Sequence, residues 1–252
     1  MNQNQKKLET LITESSRLVV FTGAGMSTES GIPDFRSPGG IWSKMQPVMY
    51  NDFINSEEHR KRAWRQKLLI HKDFKNARPN NGHKVLATLF DQGKLSSVIT
   101  QNVDGLHQAS GIPDDYVVEL HGNSTYAACL DCNKRYELQP IMQSFELNGV
   151  TPICDECQGL IKTATISFGQ TMPEKQMKKA QAETLACDLF LALGSSLVVY
   201  PAAGFPRLAK EAGASLVIVN RECTDLDDIA DLVIYGEIGA VLGVLQNRAK
   251  DE

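Results

Sequence analysis

The sequence lacks several features that would assign it to a specialised class of protein. No apolar run approaches the roughly 20 residues that a membrane-spanning helix needs, and the opening MNQNQKKLETLITESS has no apolar segment or cleavage site of a secretory signal. Basic residues are not in excess, since 26 Lys and Arg stand against 30 Asp and Glu, so no polyanion-binding surface is indicated. We therefore expect a cytoplasmic globular protein with no membrane and no direct nucleic-acid partner.

The cysteines do not have the distribution of a disulfide framework. Four of the six form two C-x-x-C pairs, made by Cys129, Cys132, Cys154 and Cys157. This spacing is typical of a tetrahedral Zn²⁺ site with four protein ligands, and such a closed site is structural. A pair of disulfides is the alternative. The lone Cys187 and Cys223 are interpreted as packing residues.

A four-cysteine module can also bind nucleic acid, but its charge argues against that here. Between the first and last of the four cysteines lie five acidic and two basic residues, namely Asp131, Glu137, Glu146, Asp155 and Glu156 against Lys134 and Arg135. A phosphate backbone requires the opposite balance.

The first candidate binding feature is a glycine-rich turn near the start. An apolar run from Leu18 to Phe21 is typical of a buried strand, and Thr22-Gly23-Ala24-Gly25 follows it. Glycines there allow a tight turn and leave N–H groups free to face a phosphate. The pattern G-x-G-x-x-T is not the full dinucleotide fingerprint, so an ordinary strand–turn–helix corner stays open as an alternative. The continuation GIPDFRS favours binding, because these residues together serve no obvious packing purpose.

Polar residues follow three further predicted strands. These strands, 94–100, 116–120 and 188–193, lead into TQNVDGLH (100–107), His121-Gly122 and Gly194-Ser195-Ser196. In an open α/β sheet, groups at the carboxyl ends of strands face the ligand. His121 is a candidate general base near neutral pH, although a lone histidine is more often an ordinary surface or core residue. Gly122 is expected to leave room for a ligand, and Asn220 to hydrogen-bond a ribose.

Strands and helices alternate along most of the chain. Helices are predicted at 3–15, 56–71, 83–91, 173–186, 201–212 and 239–248, further strands at 215–220 and 232–235, and a loop at 38–53. Trp64, Leu68 and Leu69 are predicted to form the buried side of the second helix. The alternation predicts an α/β fold with a mostly parallel sheet covered on both faces.

Several of these motifs occur together, in the same order, in the sirtuin family. They are GAGMSTESGIPDFRS, TQNVDGLH, His121-Gly122, the two C-x-x-C pairs, Phe168-Gly169, GSSLVVYPA and Val219-Asn220. The chain resembles small bacterial sirtuins over nearly its whole length. The resemblance implies a Rossmann-like domain (1–40, 79–125 and 165–252). It also implies a small domain made of a helical insertion (41–78) and a zinc-binding module (126–164).

The resemblance also implies a role for individual residues. The pyrophosphate of NAD⁺ would lie against Gly23, Ala24 and Gly25, with Arg36 and Gln101 nearby. The nicotinamide end would be bound by Ile32, Phe35, Asn102 and Asp104, and the adenosine side by Ser195 and Asn220. Thr28, Asp34, Gly194, Ser196 and Glu222 would complete the NAD⁺ site. His121 and Asn102 would be catalytic, and Phe168, Gly169 and a Val198–Val199 strand would hold the substrate backbone.

The activity implied is NAD⁺-dependent deacetylation of lysine in protein substrates, with the acetyl group transferred to ADP-ribose and nicotinamide released. His121 would deprotonate the ribose hydroxyl, and the one Zn²⁺ would be structural. Mono-ADP-ribosyl transfer and a non-enzymatic NAD⁺ sensor are the alternatives.

Two departures from the family pattern bear on the substrate. Sirtuins that prefer succinyl or malonyl groups have Tyr-x-x-Arg in the helical insertion, and AWRQKLLIHKDF (63–74) has none, so an uncharged acyl group is expected. Phe-Gly-Gln at 168–170 replaces the usual Phe-Gly-Glu, which leaves open the preference for basic residues beside the acylated lysine.

Overall fold

The structure is a computed structural model that describes residues 2–243 and 245. The strands are β1 (Leu18–Thr22), β2 (Leu95–Thr100), β3 (Val117–Glu119), β4 (Gly122–Cys129), β5 (Arg135–Glu137), β6 (Ile161–Thr165), β7 (Leu189–Leu193), β8 (Ser215–Asn220) and β9 (Leu232–Tyr235). The helices are α1 (Gln3–Glu14), α2 (Ile41–Lys44), α3 (Tyr50–Asn55), α4 (Glu57–Asn76), α5 (Asn81–Asp91), α6 (Leu106–Ala109), α7 (Leu138–Asn148), α8 (Glu174–Ala186), α9 (Gly204–Glu211) and α10 (Ile238–Gly243). Residues 244 and 246–248 of the predicted last helix lie outside the described residues. None of the helices described is long and apolar enough to cross a membrane.

The larger sheet is parallel throughout and has the order β3-β2-β1-β7-β8-β9. Counted within this sheet alone, the order is 3-2-1-4-5-6, which is the doubly wound Rossmann arrangement. The chain reverses direction across the sheet between β1 and β7. Ligands of such folds bind at that reversal, beyond the carboxyl ends of the strands. The fold class predicted from the alternation and the resemblance is confirmed.

Helices cover both faces of this sheet because β1 is apolar on both sides. Leu18 and Val20 pack on one face with residues of α1, α5 and α10. Val19 and Phe21 pack on the other face with residues of α8 and α9. A strand that is buried on both faces is held without freedom to shift. The turn that follows β1 therefore starts from a fixed position.

A small module lies beside the sheet and joins two separate stretches of chain. It contains the antiparallel sheet β5-β4-β6 together with α4 and α7. Its core consists of Trp64, Ala127, Cys129, Leu138, Met142, Phe145, Cys154 and Ile161. The ring centroids of Trp64 and Phe145 are 6.4 Å apart, so the helical insertion and the cysteine-rich stretch share one core. Helix α7 is absent from the sequence predictions, although Leu138, Met142 and Phe145 have helical spacing.

Several local predictions are wrong. The segment 38–53 contains the short helices α2 and α3, and α9 begins at Gly204. Leu69 is 71% exposed, because five residues after Trp64 the side chain has turned by about 140° around the helix. Cys187 is buried as predicted, but Cys223 is exposed and has no packing role.

Candidate active site

A cavity of about 790 Å³ lies between the carboxyl edge of the larger sheet and the small module. The predicted site residues that line it are Ala24, Gly25, Thr28, Asp34, Phe35, Arg36, Gln101, Asn102, His121, Phe168, Gly169, Gly194, Ser195, Ser196, Val199, Asn220 and Glu222. The predicted residues outside the lining are Gly23, Ile32, Asp104 and Val198. Val198 and Val199 lie in a loop, so the predicted strand there is wrong. The cavity is where the two glycine turns and the module meet.

The glycine turns after β1 and β7 touch each other backbone to backbone. The N–H of Gly25 donates to the carbonyl of Gly194 at 2.8 Å, and that of Gly23 donates to Leu193 at 3.0 Å. A Cβ added to Gly23 would lie 2.7 Å from the Gly194 oxygen, and one added to Gly25 would lie 2.8 Å from the Gly194 Cα. These two N–H groups are therefore bound, contrary to the expectation that they face an anion. The glycines are needed because the two turns approach so closely.

The missing third glycine of the fingerprint has a structural reason. In that fingerprint the third glycine lets a long helix pack closely on the first strand. Here two 3₁₀ turns, Ala24–Met26 and Thr28–Ser30, follow β1 in place of such a helix. The Thr28 hydroxyl donates to the Gly25 carbonyl at 3.0 Å. A side chain at this position is thus accommodated.

The segment Asp34–Ser37 is fixed by its own hydrogen bonds. The Asp34 carboxylate accepts from the N–H groups of Arg36 and Ser37 and from the Ser37 hydroxyl, at 2.9, 2.8 and 2.6 Å. Burial raises the pKa of Asp34 and the bonds from Ser37 and Arg36 lower it, and the net shift is downward. The Asp34 carboxylate therefore stays charged. Its hydrogen bonds fix the turn in which Phe35 and Arg36 line the cavity.

Trp42 connects this segment to the predicted substrate loop, and sequence analysis missed it. Its ring centroid lies 5.3 Å from that of Phe35 and 5.3 Å from that of Phe168, and the Arg36 guanidinium lies 4.4 Å above it. Such aromatic and cation–π contacts stabilise the partners they join. The signal in the sequence is an aromatic residue after two glycines, Gly-Gly-x-Trp, in a segment that its composition predicts only as a loop.

The amide and carboxylate groups after β2 support the turn after β1. The Asn102 side-chain amide donates to the Gly23 carbonyl at 2.9 Å and to the Ser27 hydroxyl oxygen at 3.2 Å. The Ser27 hydroxyl in turn donates to Asp104 at 2.6 Å, and burial raises the pKa of Asp104. Asp104 thus lies behind Asn102, whereas Asn102 faces the cavity.

His121 lies where the chain passes from the larger sheet to the small one, between β3 and β4. Its Nδ1 is 3.1 Å from the Gln101 carbonyl, which can only accept, so Nδ1 carries the proton and Nε2 has a free lone pair. Burial lowers the pKa of His121, the bond to Gln101 raises it and Arg36 lowers it, with a net downward shift. The imidazole is therefore neutral at pH 7, as a general base must be.

Gly122 has a different role from the one expected. Its φ is +73°, and an added Cβ would lie 2.1 Å from the Ala164 carbonyl oxygen. The glycine is required by the close approach of β6, which pairs with β4 at this point. The N–H of Ile166 donates to the His121 carbonyl at 2.8 Å. The junction of the two sheets thereby fixes the backbone of His121.

The adenosine end predicted from sequence lies at the carboxyl ends of β7 and β8. Ser195 donates to the Gln101 side chain at 2.8 Å, and the Asn220 amide donates to the Glu222 carbonyl at 2.9 Å. Arg221 pairs with Glu237 at 2.7 Å. The predicted adenosine end of the cavity therefore has several polar side chains at the carboxyl ends of β7 and β8.

The four paired cysteines form a cluster that fits one zinc ion. Their sulfurs all lie within 4.8 Å of one another, with 3.4 Å between Cys129 and Cys157 and 3.6 Å between Cys132 and Cys154. Four thiolates at 2.3 Å from a tetrahedral Zn²⁺ are about 3.8 Å apart. None of the four lines the cavity. The cluster fits a structural zinc, as predicted, and its sulfurs have no part in the chemistry of the cavity.

The cysteine pairs are followed by matching turns. Asn133 and Gln158, each directly after the second cysteine of a pair, have φ of +61° and +62°. Within the first pair, the N–H of Asp131 also lies 3.4 Å from the Cys129 sulfur. The Tyr136 hydroxyl also donates to the Cys154 sulfur at 3.0 Å. Such contacts orient the ligands of a metal.

Fold and site together define a class: a doubly wound dinucleotide-binding type of α/β protein with a thiolate-held module beside its ligand cleft. A sequence profile described as "Sir2 family" matches residues 23–201. The "NAD-dependent protein deacetylase 1" of Bradyrhizobium diazoefficiens is 54% identical over 94% of this chain and 93% of its own. The "NAD-dependent protein deacetylase" of Rhodopseudomonas palustris is 52% identical over 96% of both chains.

Solved structures agree with this assignment. The structure described as "Sir2-p53 peptide-NAD+" has a TM-score of 0.89 and 35% identity, with full coverage of both chains. The one described as "Sir2 bound to acetylated peptide" has a TM-score of 0.88 and 34% identity, again with full coverage. The chain therefore belongs to the Sir2 family, which confirms the resemblance to sirtuins.

Proposed function

We propose that the protein is an NAD⁺-dependent protein-lysine deacetylase, which transfers the acetyl group to ADP-ribose and releases nicotinamide and O-acetyl-ADP-ribose. The observation that carries the proposal is the position of His121: a neutral imidazole whose Nε2 is free, in the cavity beside the glycine turns. The names of the two curated relatives and the ligands of the two solved structures support the same activity.

The cavity offers a polar edge that suits NAD⁺. Two glycine turns meet at the chain reversal of the sheet, where such folds bind dinucleotides, and they approach so closely that no side chain fits at Gly23 or Gly25. In this proposal Gly23, Ala24, Gly25, Arg36 and Gln101 surround the pyrophosphate. Thr28, Gly194, Ser195, Ser196, Asn220 and Glu222 hold the adenosine side. Ile32, Asp34, Phe35, Asn102 and Asp104 form or support the nicotinamide end.

NAD⁺ supplies an electrophilic ribose carbon, because its cationic nicotinamide ring is a good leaving group. Asn102, with its amide bound to Gly23 and Ser27, positions the nicotinamide end. Phe35 excludes water from the reacting carbon, and its contact with Trp42 keeps it there. His121 accepts a ribose hydroxyl proton at Nε2, and the hydrogen bond from its Nδ1 to the Gln101 carbonyl fixes the orientation of the ring.

The substrate backbone is proposed to pass between two exposed loops at the mouth of the cavity. Phe168 and Val198 are 40% and 49% exposed, and Gly169 and Val199 line the opening. A peptide that lies extended between these loops adds main-chain hydrogen bonds in the manner of β-augmentation. The acetylated lysine then points inward to His121.

The domain boundaries follow from the same proposal. Residues 1–40, 79–125 and 165–252 make the NAD⁺-binding domain, and 41–78 with 126–164 make the small domain.

We also propose that the protein works in the cytoplasm, because a four-thiolate zinc site needs a compartment that keeps thiols reduced.

The test is an assay of the purified protein with an acetyl-lysine peptide, with and without NAD⁺. We expect loss of acetyl and release of nicotinamide only when NAD⁺ is present. Absence of both would contradict the proposal. ADP-ribose attached to protein without loss of acetyl would favour mono-ADP-ribosyl transfer, and binding of NAD⁺ without either reaction would favour a sensor.

A further inference from the structure

Two threonines end the strands β1 and β2 with hydroxyl groups that are buried. Thr22 and Thr100 are partners in the parallel register, and they are 0% and 2% exposed. The Thr22 hydroxyl donates to the Thr100 hydroxyl oxygen at 2.8 Å. Burial of a hydroxyl group is unfavourable unless it has a hydrogen-bond partner. Each threonine directly precedes residues of the site, the glycine turn in one case and Gln101-Asn102 in the other.

The Thr100 hydroxyl oxygen fixes the peptide group between Gln101 and Asn102. It accepts a hydrogen bond from the Asn102 N–H at 3.0 Å, which is the bond of an ST turn where the chain leaves β2. The carbonyl of the same peptide group belongs to Gln101 and lies 3.1 Å from Nδ1 of His121. This planar group therefore has Thr100 on its N–H side and the catalytic histidine on its carbonyl side.

A buried histidine lies on the other side of the two threonines. Nε2 of His107 is 2.9 Å from the Thr22 hydroxyl, and His107 is 1% exposed. Because the one hydroxyl proton of Thr22 is donated to Thr100, the bond with His107 is donated by its Nε2–H. The buried Nδ1 of His107 has no hydrogen-bond partner among the residues that the structure describes. The ring is therefore held through Thr22.

His83 of α5 packs against His107, and both rings are uncharged at neutral pH. The ring centroids are 5.0 Å apart. Burial lowers the pKa of His107 well below its ordinary value and His83 lowers it further, while burial lowers the pKa of His83 to about 4. The charged group that acts on His121 is Arg36. His107 is thus a neutral donor to Thr22 throughout the neutral range.

The peptide group between Gln101 and Asn102 determines how strongly His121 is held. A peptide N–H that donates a hydrogen bond makes the carbonyl of its group a stronger acceptor. The bond to this carbonyl raises the pKa of His121, against the effect of burial. Without the Thr100 hydroxyl the Asn102 N–H loses its partner. The imidazole is then held less firmly and is a weaker base.

Resting on the proposed deacetylase function, we propose that Thr100, Thr22 and His107 are positioning residues for the general base His121. Thr100 fixes the peptide group that binds Nδ1 of His121, Thr22 fixes the Thr100 hydroxyl, and His107 fixes Thr22. None of the three lines the cavity, so they act through this series of hydrogen bonds and not by contact with substrate or NAD⁺. The two ends of the motif 100–107 thereby support the Gln101-Asn102 pair within it.

The test compares two substitutions of Thr100 in the NAD⁺-dependent assay with an acetyl-lysine peptide. Thr100→Val removes the hydroxyl but keeps the branched shape, and kcat is expected to fall about tenfold with little change in KM, as for one lost hydrogen bond. The acid limb of kcat/KM should move to lower pH, because the bond that raises the pKa of His121 is weakened. Thr100→Ser keeps the hydroxyl and should keep both properties close to wild type.

Thr184→Val is the matched control, since Thr184 is also buried and its hydroxyl donates to Ala180 of the same helix at 2.7 Å. It should leave kcat and the acid limb unchanged. Wild-type kcat in Thr100→Val overturns the proposal, and so does a fall in kcat with an unmoved acid limb or an equal fall in Thr100→Ser. No turnover by the wild-type enzyme overturns the proposed function instead.

Two further measurements do not depend on the folding of Thr100→Val. Thr22→Val should change kcat and the acid limb in the same direction but less, because Thr22 is one hydrogen bond further from His121. Nitrogen NMR of the histidine rings in the wild-type protein, which needs no activity, should find the proton of His107 on Nε2. Wild-type behaviour of Thr22→Val overturns the role of Thr22. A proton on Nδ1 of His107 overturns the role of His107, because Thr22 then receives no hydrogen bond from it.

Discussion

The two sides of the cavity are stabilised by different interactions. On the sheet side, β1 and β7 are buried on both faces, and the turns that follow them are in backbone contact. On the module side the apolar core is small, and four cysteine sulfurs lie close together beside it. Burial alone can fix polar groups on the sheet side. A module with so little apolar core requires metal ligation for the same purpose.

His121 belongs to both sides. It follows β3 of the larger sheet and directly precedes β4 of the small one. Its ring donates a hydrogen bond to the Gln101 carbonyl on the sheet side. Its own carbonyl accepts a hydrogen bond from the N–H of Ile166, at the start of the substrate loop. Its position therefore depends on both kinds of stabilisation, and this dependence can be tested one side at a time.

The largest effect is expected from loss of the metal site. Cys154→Ser removes one of four thiolates, and structural zinc sites contribute about 10 kcal/mol or more of apparent binding free energy. We expect less than one zinc per chain by metal analysis. We also expect fast hydrogen exchange in β4, β6 and α7, with continued protection of β1 and β7.

The exposed Cys223 supplies the control, since Cys223→Ser should keep the zinc and the exchange pattern of the wild type. Full zinc occupancy in Cys154→Ser would contradict the four-thiolate site. Equal loss of protection in β1 and in β4 would contradict the distinction between the two sides.

The second largest effect is expected from replacing His121, which lies at the junction of the two sheets. In His121→Ala the general base is lost, and kcat is expected to fall by about 10²- to 10⁴-fold. NAD⁺ affinity, measured by calorimetry, should change little because the glycine turns remain. His59→Ala, on α4 outside the cavity lining, serves as the control. More than a tenth of the wild-type kcat in the His121 variant would refute its role as base.

A smaller effect is expected from a change confined to the sheet side. Gly194→Ala places a Cβ 2.4 Å from the Met26 nitrogen at a φ of +60°. Left-handed strain and overpacking together should lower the free energy of unfolding by about 3 kcal/mol. Gly213→Ala is the matched control, since its φ is +98° with nothing within 4 Å of the added atom. Equal destabilisation by the two in urea denaturation would show that the contact between the turns is not important.

The smallest effect is the dependence of activity on pH. The pKa of His121 is lowered by burial and by Arg36, against the opposing hydrogen bond to Gln101. The imidazole therefore stays neutral at pH 7 and is protonated only below its ordinary pKa of about 6.5. We expect kcat/KM to be flat near neutral pH and to fall on the acid side of that value. A fall that begins well above pH 7 would contradict the shift.

The parts of the molecule that follow from periodicity and turn chemistry could be predicted from the sequence. Most strands of the larger sheet are nearly continuous apolar runs, although β2 contains Ser96 and Ser97, and such runs are typical of parallel strands buried on both faces. Their carboxyl ends carry the glycine and amide motifs, so the clustering of Gly25, Asn102, His121 and Ser195 follows from the sheet itself. The C-x-x-C spacing similarly predicted the cysteine cluster.

What could not be predicted depends on contacts between distant segments. Trp42 and Lys67 lie in stretches whose local pattern is an aromatic loop and a charged helix, and only the tertiary fold brings them to the cavity. The N–H groups of Gly23 and Gly25 were expected to be free because the close approach of Gly194 is not visible in either segment alone. The prediction that Leu69 is buried is wrong because Leu69 lies about 140° around the helix from Trp64.

The central claim is that the cavity between the two sides moves an acyl group from lysine to ADP-ribose. Its most direct test uses a peptide with an isotope-labelled acetyl group, with mass spectrometry of the products after NAD⁺ is added. The account predicts that all released label is found on ADP-ribose, with one nicotinamide formed for each acetyl removed. Label released as free acetate while NAD⁺ remains intact would contradict it.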